Sequence, residues 1–146
     1  MLKVVVDTNI LFSALLSKKG KIRSIILQGK ATFFSCNFSI AELLSLSDRL
    51  LQKQRIRREE WQWFAYQILK RINFVSESFI SKESLKTAVD LCKDIDIKDT
   101  LFVALSLDLE GYLWTGDKEL ANGLKNKGFD KVLMTEDLLK FLNTLK

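Results

Sequence analysis

Apolar residues fall along this chain in two rhythms that alternate from end to end. Short apolar runs come first: Leu2–Val6, interrupted only by Lys3, then Ala31–Cys36, Ile72–Val75, Tyr112–Thr115 and Lys131–Met134. Runs of this length predict strands. Between them, apolar positions recur at helical spacing. Ile40, Leu43, Leu44, Leu50 and Leu51 form one stripe. Trp61, Phe64, Ala65, Ile68, Leu69 and Ile72 follow i, i+3, i+4, i+7, i+8, i+11, the plainest helix of the sequence. Leu85, Ala88, Val89 and Cys92 repeat the pattern, as do Phe102, Leu105 and Leu109, and finally Leu138, Phe141, Leu142 and Leu145. Strands that alternate with helices imply parallel pairing and a sheet covered on both faces, an α/β architecture in three layers. No proline, repeat or low-complexity segment marks a linker, and 146 residues suit a single domain over 1–146.

Composition removes much chemistry. The chain has no histidine, which excludes Ser-His-Asp and Cys-His hydrolysis and histidine-bound zinc. Its two cysteines, Cys36 and Cys92, stand apart in apolar stretches. Two thiols cannot complete a four-ligand zinc site, and a buried free cysteine serves as a small hydrophobe. No apolar run approaches the ~18 residues of a membrane span, and Asp7 comes too early for a signal peptide. A cytoplasmic protein without a membrane partner is therefore expected. The net charge of +5 suits a polyanionic partner without requiring one. Its distribution is more telling, because the stretch R-L-L-Q-K-Q-R-I-R-R carries Arg49, Lys53, Arg55, Arg57 and Arg58 with no acid between them. Such a run is either a solvated helix end and loop or a phosphate-contacting patch beside an active site.

In open parallel α/β sheets, ligands collect at the carboxyl ends of the strands. Asp7 closes the first strand in V-V-V-D-T-N, and Asp117 follows the fourth in T-G-D. Glu42 stands three residues after Ser39, the S-x-x-E spacing of a capping box, and Asp99 opens the helical run D-T-L-F-V-A-L-S. Each acid has an ordinary explanation: an N-cap at Asp7, the capping box at Glu42, a helix-dipole complement at Asp99, a turn residue at Asp117. Four acids gathered on one rim are harder to explain that way, since uncompensated carboxylates repel and raise one another's pKa. A hard divalent cation held by oxygens relieves that repulsion. It also activates a water for attack on phosphorus without histidine.

Four segments, in this order, carry a family likeness: V-V-V-D-T-N-I-L-F-S-A, the S-x-x-E of Ser39–Glu42, D-x-x-D-T-L-F-V-A-L-S from Asp96, and T-G-D-K-E-L over Thr115–Leu120. Together they resemble the PIN domain, chiefly the stand-alone prokaryotic PIN proteins of toxin–antitoxin systems. The resemblance implies a Rossmann-like α/β/α fold with a five-stranded parallel sheet. It implies a Mg²⁺- or Mn²⁺-dependent endoribonuclease acting on single-stranded RNA, commonly a homodimer and often silenced by a cognate antitoxin. Carried over by position, Asp7, Glu42, Asp99 and Asp117 are the catalytic metal ligands. Asn9 would orient Asp7 or a metal water, Thr115 supplies the hydroxyl before the last acid, and Ser39 would cap the helix that holds Glu42. Asp96 is an accessory acid beside Asp99. Lys98 and Lys118 either touch substrate phosphate or face solvent. Trp63 and Tyr66 lie off their helix's apolar stripe, either as an exposed partner surface or as part of a wider buried face.

Two other functions fit parts of the pattern. A haloacid dehalogenase-like phosphatase also places an Asp after its first strand, but needs a second Asp two residues on, where this chain has Asn9. It would have no use for Glu42 at the metal. A non-catalytic RNA- or partner-binding module would keep the fold without the activity.

Overall fold

The apolar runs pair into one parallel sheet. The computed structural model describes all residues except 17–19, 54–56, 96 and 146, with the backbone alone for Leu50 and Lys53. The strands are Lys3–Val6 (β1), Thr32–Cys36 (β2), Ile72–Val75 (β3), Tyr112–Trp114 (β4) and Val132–Leu133 (β5), in the spatial order β3-β2-β1-β4-β5. Val4 of the central strand pairs with Phe33 on one side and Tyr112 on the other. Between the strands lie helices Thr8–Leu16 (α1), Lys21–Gln28 (α2), Phe38–Lys53 (α3), Arg58–Leu69 (α4), Lys82–Leu91 (α5), Ile97–Leu109 (α6), Lys118–Asn126 (α7) and Thr135–Thr144 (α8). All five strand expectations and the α/β class match this architecture.

The period-two alternation of the strands sorts the core into two halves. Val4, Val6, Phe33 and Trp114 face a layer built from α1, α2, α3, α4 and α8, where Ile25, Ile68, Leu138 and Leu142 are fully buried. Val5, Cys36, Leu113 and Val132 face the opposite layer of α5, α6 and α7, with Ala88, Val103 and Leu124. A sheet covered this way explains why its strands read as near-continuous apolar runs. The result is a three-layer α/β/α sandwich of Rossmann-like type. Among the described residues, no helix is long and apolar enough to cross a membrane.

Three departures from the hydrophobic pattern are local. Ile72 continues the arithmetic of the α4 stripe, yet the helix stops at Leu69 and Ile72 pairs with Phe33 as the first residue of β3. The segment that forms α2 was not marked by periodicity, since only Ile25 and Ile26 of it are buried, too few to show a repeat. Gly29, with φ 68°, ends that helix in the left-handed conformation that glycine adopts without penalty. Ile40, Leu44 and Val89 sit on helical stripes but are exposed.

Gly111, at the entrance to β4, is required by close approach. A Cβ there would lie 2.7 Å from the Lys3 carbonyl oxygen, a backbone atom within the adjacent strand. Gly111→Ala is expected to destabilise the fold by about 1–3 kcal/mol, because the sheet must shift to admit one methyl. The midpoint of chemical denaturation measures this, and a midpoint equal to the native one would refute the constraint.

Candidate active site

The strand order creates a topological switch between β1 and β4: the chain leaves β1 toward β2 but leaves β4 toward β5. Ligand crevices of open parallel sheets form at such a point, beyond the carboxyl ends of the strands. Four of the helices that begin at this rim carry the candidate acids. α1, α3 and α7 follow β1, β2 and β4 directly, and α6 runs back antiparallel into β4. They carry Asp7, Glu42, Asp117 and Asp99 respectively to one end of the molecule.

Asp7 sits immediately after β1 and is buried, only 6% exposed. Its Oδ1 accepts the backbone N–H of Ile10 at 2.9 Å, so it caps α1 as its position predicted. The Thr115 hydroxyl also bonds to it. These contacts do not offset the loss of water: burial pushes the Asp7 carboxyl up to about 6, and the negative charges of Asp99 and Asp117 add to the rise. Three acids from three segments therefore share one electrostatic environment. Asp117 caps α7 by accepting the Leu120 N–H at 3.2 Å, while its own N–H donates to Thr115 Oγ1 at 3.1 Å. Thr115, fully buried, thus ties the Asp117 turn to Asp7.

Glu42 is placed differently from the capping-box expectation. α3 begins at Phe38, so Ser39 lies inside the helix and does not cap it. The cap comes from a distant residue, since the Phe38 N–H donates to Glu77 Oε1 at 2.7 Å. Ser39 is instead a buried link in a hydroxyl chain. Ser35 donates to the Val6 carbonyl at 2.6 Å, Ser35 and Ser39 are 3.2 Å apart, and the Thr8 hydroxyl is 3.0 Å from Ser39. Thr8 is also 3.0 Å from Glu42 Oε1, and Lys98 donates to Glu42 Oε2 at 2.9 Å. Ser39 therefore acts on Glu42 through Thr8, across the β1–β2 boundary. Thr8 and Ser35 were not among the residues expected to matter. Their only signals were a hydroxyl directly after Asp7 and a serine in the apolar run T-F-F-S-C.

The remaining candidates divide. Asn9 is exposed in the first turn of α1, and Lys118 is exposed beside Asp117. Asp96 and Arg55 lie outside the described residues, and of Lys53 only the backbone is described. Of the basic run, two residues share α3 with Glu42. Arg49 and Lys53 stand roughly 10 and 17 Å along the α3 axis from Glu42, at 1.5 Å per residue. Arg57 and Arg58, both exposed, open α4, where Arg57 pairs weakly with Glu60 at 3.9 Å. Trp63 and Tyr66 are exposed, with ring centroids 5.9 Å apart. Cys36 and Cys92 are buried, and burial with the nearby Glu77 pushes the Cys36 thiol up to about 12, as inert thiols require.

Among the described residues, no three acids stand close enough together to hold a metal ion as placed. Glu42 is turned to Thr8 and Lys98. The donor set nevertheless suits a hard cation: it is all oxygen, and Asp7 is a buried carboxylate that the charges of Asp99 and Asp117 destabilise. A divalent ion would remove that penalty.

The profile of the PIN domain matches residues 5–137, and the chain belongs to the PIN family. Proteins of that family are generally nucleases that use divalent metal ions. No curated protein matches the chain in sequence. Solved structures share the fold. PAE2754 from Pyrobaculum aerophilum is 16% identical with a TM-score of 0.69, the match covering 98% of this chain and 90% of that one. VapBC2 from Rickettsia felis, solved with a DNA fragment from its promoter, is 18% identical with a TM-score of 0.60 over 91% and 97% of the two chains. A toxin–antitoxin complex from Klebsiella pneumoniae is 18% identical with a TM-score of 0.61 over 90% and 97%. At such identities the likeness carries the fold. Family membership, with Asn9 in place of a second Asp, sets the phosphatase aside.

Proposed function

We propose that this PIN protein is a Mg²⁺- or Mn²⁺-dependent endoribonuclease that hydrolyses phosphodiester bonds of single-stranded RNA, as the toxin of a toxin–antitoxin pair. The observation that carries this is Asp7: a carboxylate buried at the switch point and destabilised by two further acids is a group arranged for a cation. Asp7, Glu42, Asp99 and Asp117 would hold the ion, with Asp96 as an accessory acid. The bound ion supplies water activation at neutral pH and compensation of charge on the phosphate. The chain's own groups set the geometry. The Ile10 N–H and Thr115 hydroxyl orient Asp7, Thr8 orients Glu42, and the Leu120 N–H orients Asp117. Asn9 stands exposed beside Asp7, where a polar side chain can meet the substrate or an ordered water. Arg49, Lys53, Arg55, Arg57 and Arg58 would supply contacts to RNA phosphates.

Cleavage of a labelled single-stranded RNA pool, read with Mn²⁺ and with chelator, tests the activity. The native protein is expected to cut only with metal, and Asp99→Asn to lose the activity while keeping its circular dichroism. Full cleavage by Asp99→Asn would remove that residue from the site. RNA binding that is tight, metal-independent and never followed by cleavage would favour the non-catalytic module.

The antitoxin is proposed to dock on an apolar groove of about 320 Å³ between α3 and α4, lined by Ile40, Leu44, Trp61, Ala65 and Tyr66. Leu44 and Tyr66 are 61% and 56% exposed, an apolar surface that suits a partner helix. Toxin–antitoxin complexes among the structural relatives supply the class of occupant. Sedimentation separates it from a homodimer through the same groove. A second copy would give twice the 16.8 kDa monomer mass, falling to one in Leu44→Glu. A groove kept for the antitoxin leaves the mass unchanged by that substitution.

A further inference from the structure

We infer that Lys98 is a positioning residue whose ammonium takes the place of the divalent ion on Glu42, so that metal and lysine compete for one carboxylate. This rests on the metal-dependent reading above and adds a specific role for a residue that acts through Glu42. The two oxygens of Glu42 are held from two elements: Thr8 on α1 lies 3.0 Å from Oε1, and Lys98 on α6 donates to Oε2 at 2.9 Å. Thr8 is itself fixed by the buried Ser39. Lys98 approaches from the solvent side, its side chain 55% exposed against 28% for Glu42. The fixed partner thus lies inside and the displaceable one outside.

Position in the sequence strengthens the point. Lys98 directly precedes Asp99, whose charge reaches Asp7. The ammonium therefore joins α6 to α3 through Glu42. A lysine suits this task because its compact charge rides on a flexible four-carbon stem and can swing away. Two cations within about 4 Å repel strongly in a partly desolvated cleft. An ion that takes Glu42 must therefore displace the ammonium. Lys98 holds Glu42 over the site in the metal-free protein and weakens the affinity for the incoming metal.

Calorimetric titration with Mn²⁺ tests this on the full chain, with Lys98→Met to remove the charge and Lys98→Arg to keep it. Lys98→Met is expected to bind Mn²⁺ about tenfold more tightly than the native protein, the scale of one close cation–cation contact. Lys98→Arg should stay within about threefold of native, and the gain should vanish in Lys98→Met/Glu42→Gln, because the competition is over Glu42. Equal or weaker Mn²⁺ binding by Lys98→Met overturns the competition even if the native protein binds metal well. No Mn²⁺ binding by native protein or Lys98→Met overturns the metal-dependent reading itself, and the competition with it. Binding by Lys98→Met alone is the competition in its strongest form.

Discussion

Asp7→Asn is expected to silence RNA cleavage and, in metal-free buffer at pH 7.5, to make the protein more stable. Both effects come from the same burial. With its carboxyl at about 6 in the folded protein against 3.8 when unfolded, Asp7 binds a proton more tightly in the native state. Its contribution to stability is therefore complete below about pH 4 and is lost as the pH rises to 6 and beyond. A shift of that size corresponds to roughly 3 kcal/mol above pH 7. Asparagine cannot ionise, yet its Oδ1 keeps the bond from the Ile10 N–H. The variant should thus gain on the order of 2–3 kcal/mol at pH 7.5, a midpoint several degrees higher for a chain of this size. The gap should close by pH 4. Loss of a central ligand should lower cleavage by more than ~100-fold, beyond the effect of removing a supporting residue. A variant less stable than native at pH 7.5 would show that the buried charge is compensated in some other way.

Mn²⁺ is expected to raise the thermal midpoint of the native protein, and that of Glu42→Gln much less. A ligand bound only by the folded state stabilises by RT ln(1 + [L]/Kd), about 2.7 kcal/mol at one hundred times Kd. The ion would in addition remove the repulsion that Asp99 and Asp117 impose on Asp7. Glu42→Gln keeps the shape and an oxygen for Thr8 to donate to but loses the charge, so a smaller shift identifies Glu42 as part of the site. Equal shifts in the two proteins would take Glu42 out of the ligand set. No shift in either would leave the four acids as helix caps and dipole complements.

The sheet was legible from one dimension because it is buried on both faces. Apolar runs such as V-V-V and T-F-F were sufficient to place each strand, and strands alternating with helical stripes left parallel pairing as the natural arrangement. The acids were legible for a related reason: strand ends and helix starts are where a parallel sheet presents its ligands, so Asp7 and Asp117 stood out by position. The capping role of Asp7 also followed from local chemistry, which needs only three residues of chain.

Contacts between distant segments were not legible in this way. S-x-x-E promised a capping box, but the Phe38 N–H found Glu77 thirty-nine residues away, and Ser39 turned inward to Thr8. A local motif states what a residue can satisfy, whereas packing decides which partner arrives. The sequence by itself determined the layers, the strand positions, the acids at the rim and the lack of histidine chemistry, because each follows from local periodicity or from composition. Only the tertiary structure decided that Thr115 joins Asp7 to the Asp117 turn and that Thr8 and Lys98 divide Glu42 between them. The physical reason is that burial, hydrogen bonding and charge coupling at the site depend on distances between α1, α3, α6 and the β4 end, which only the folded sheet sets.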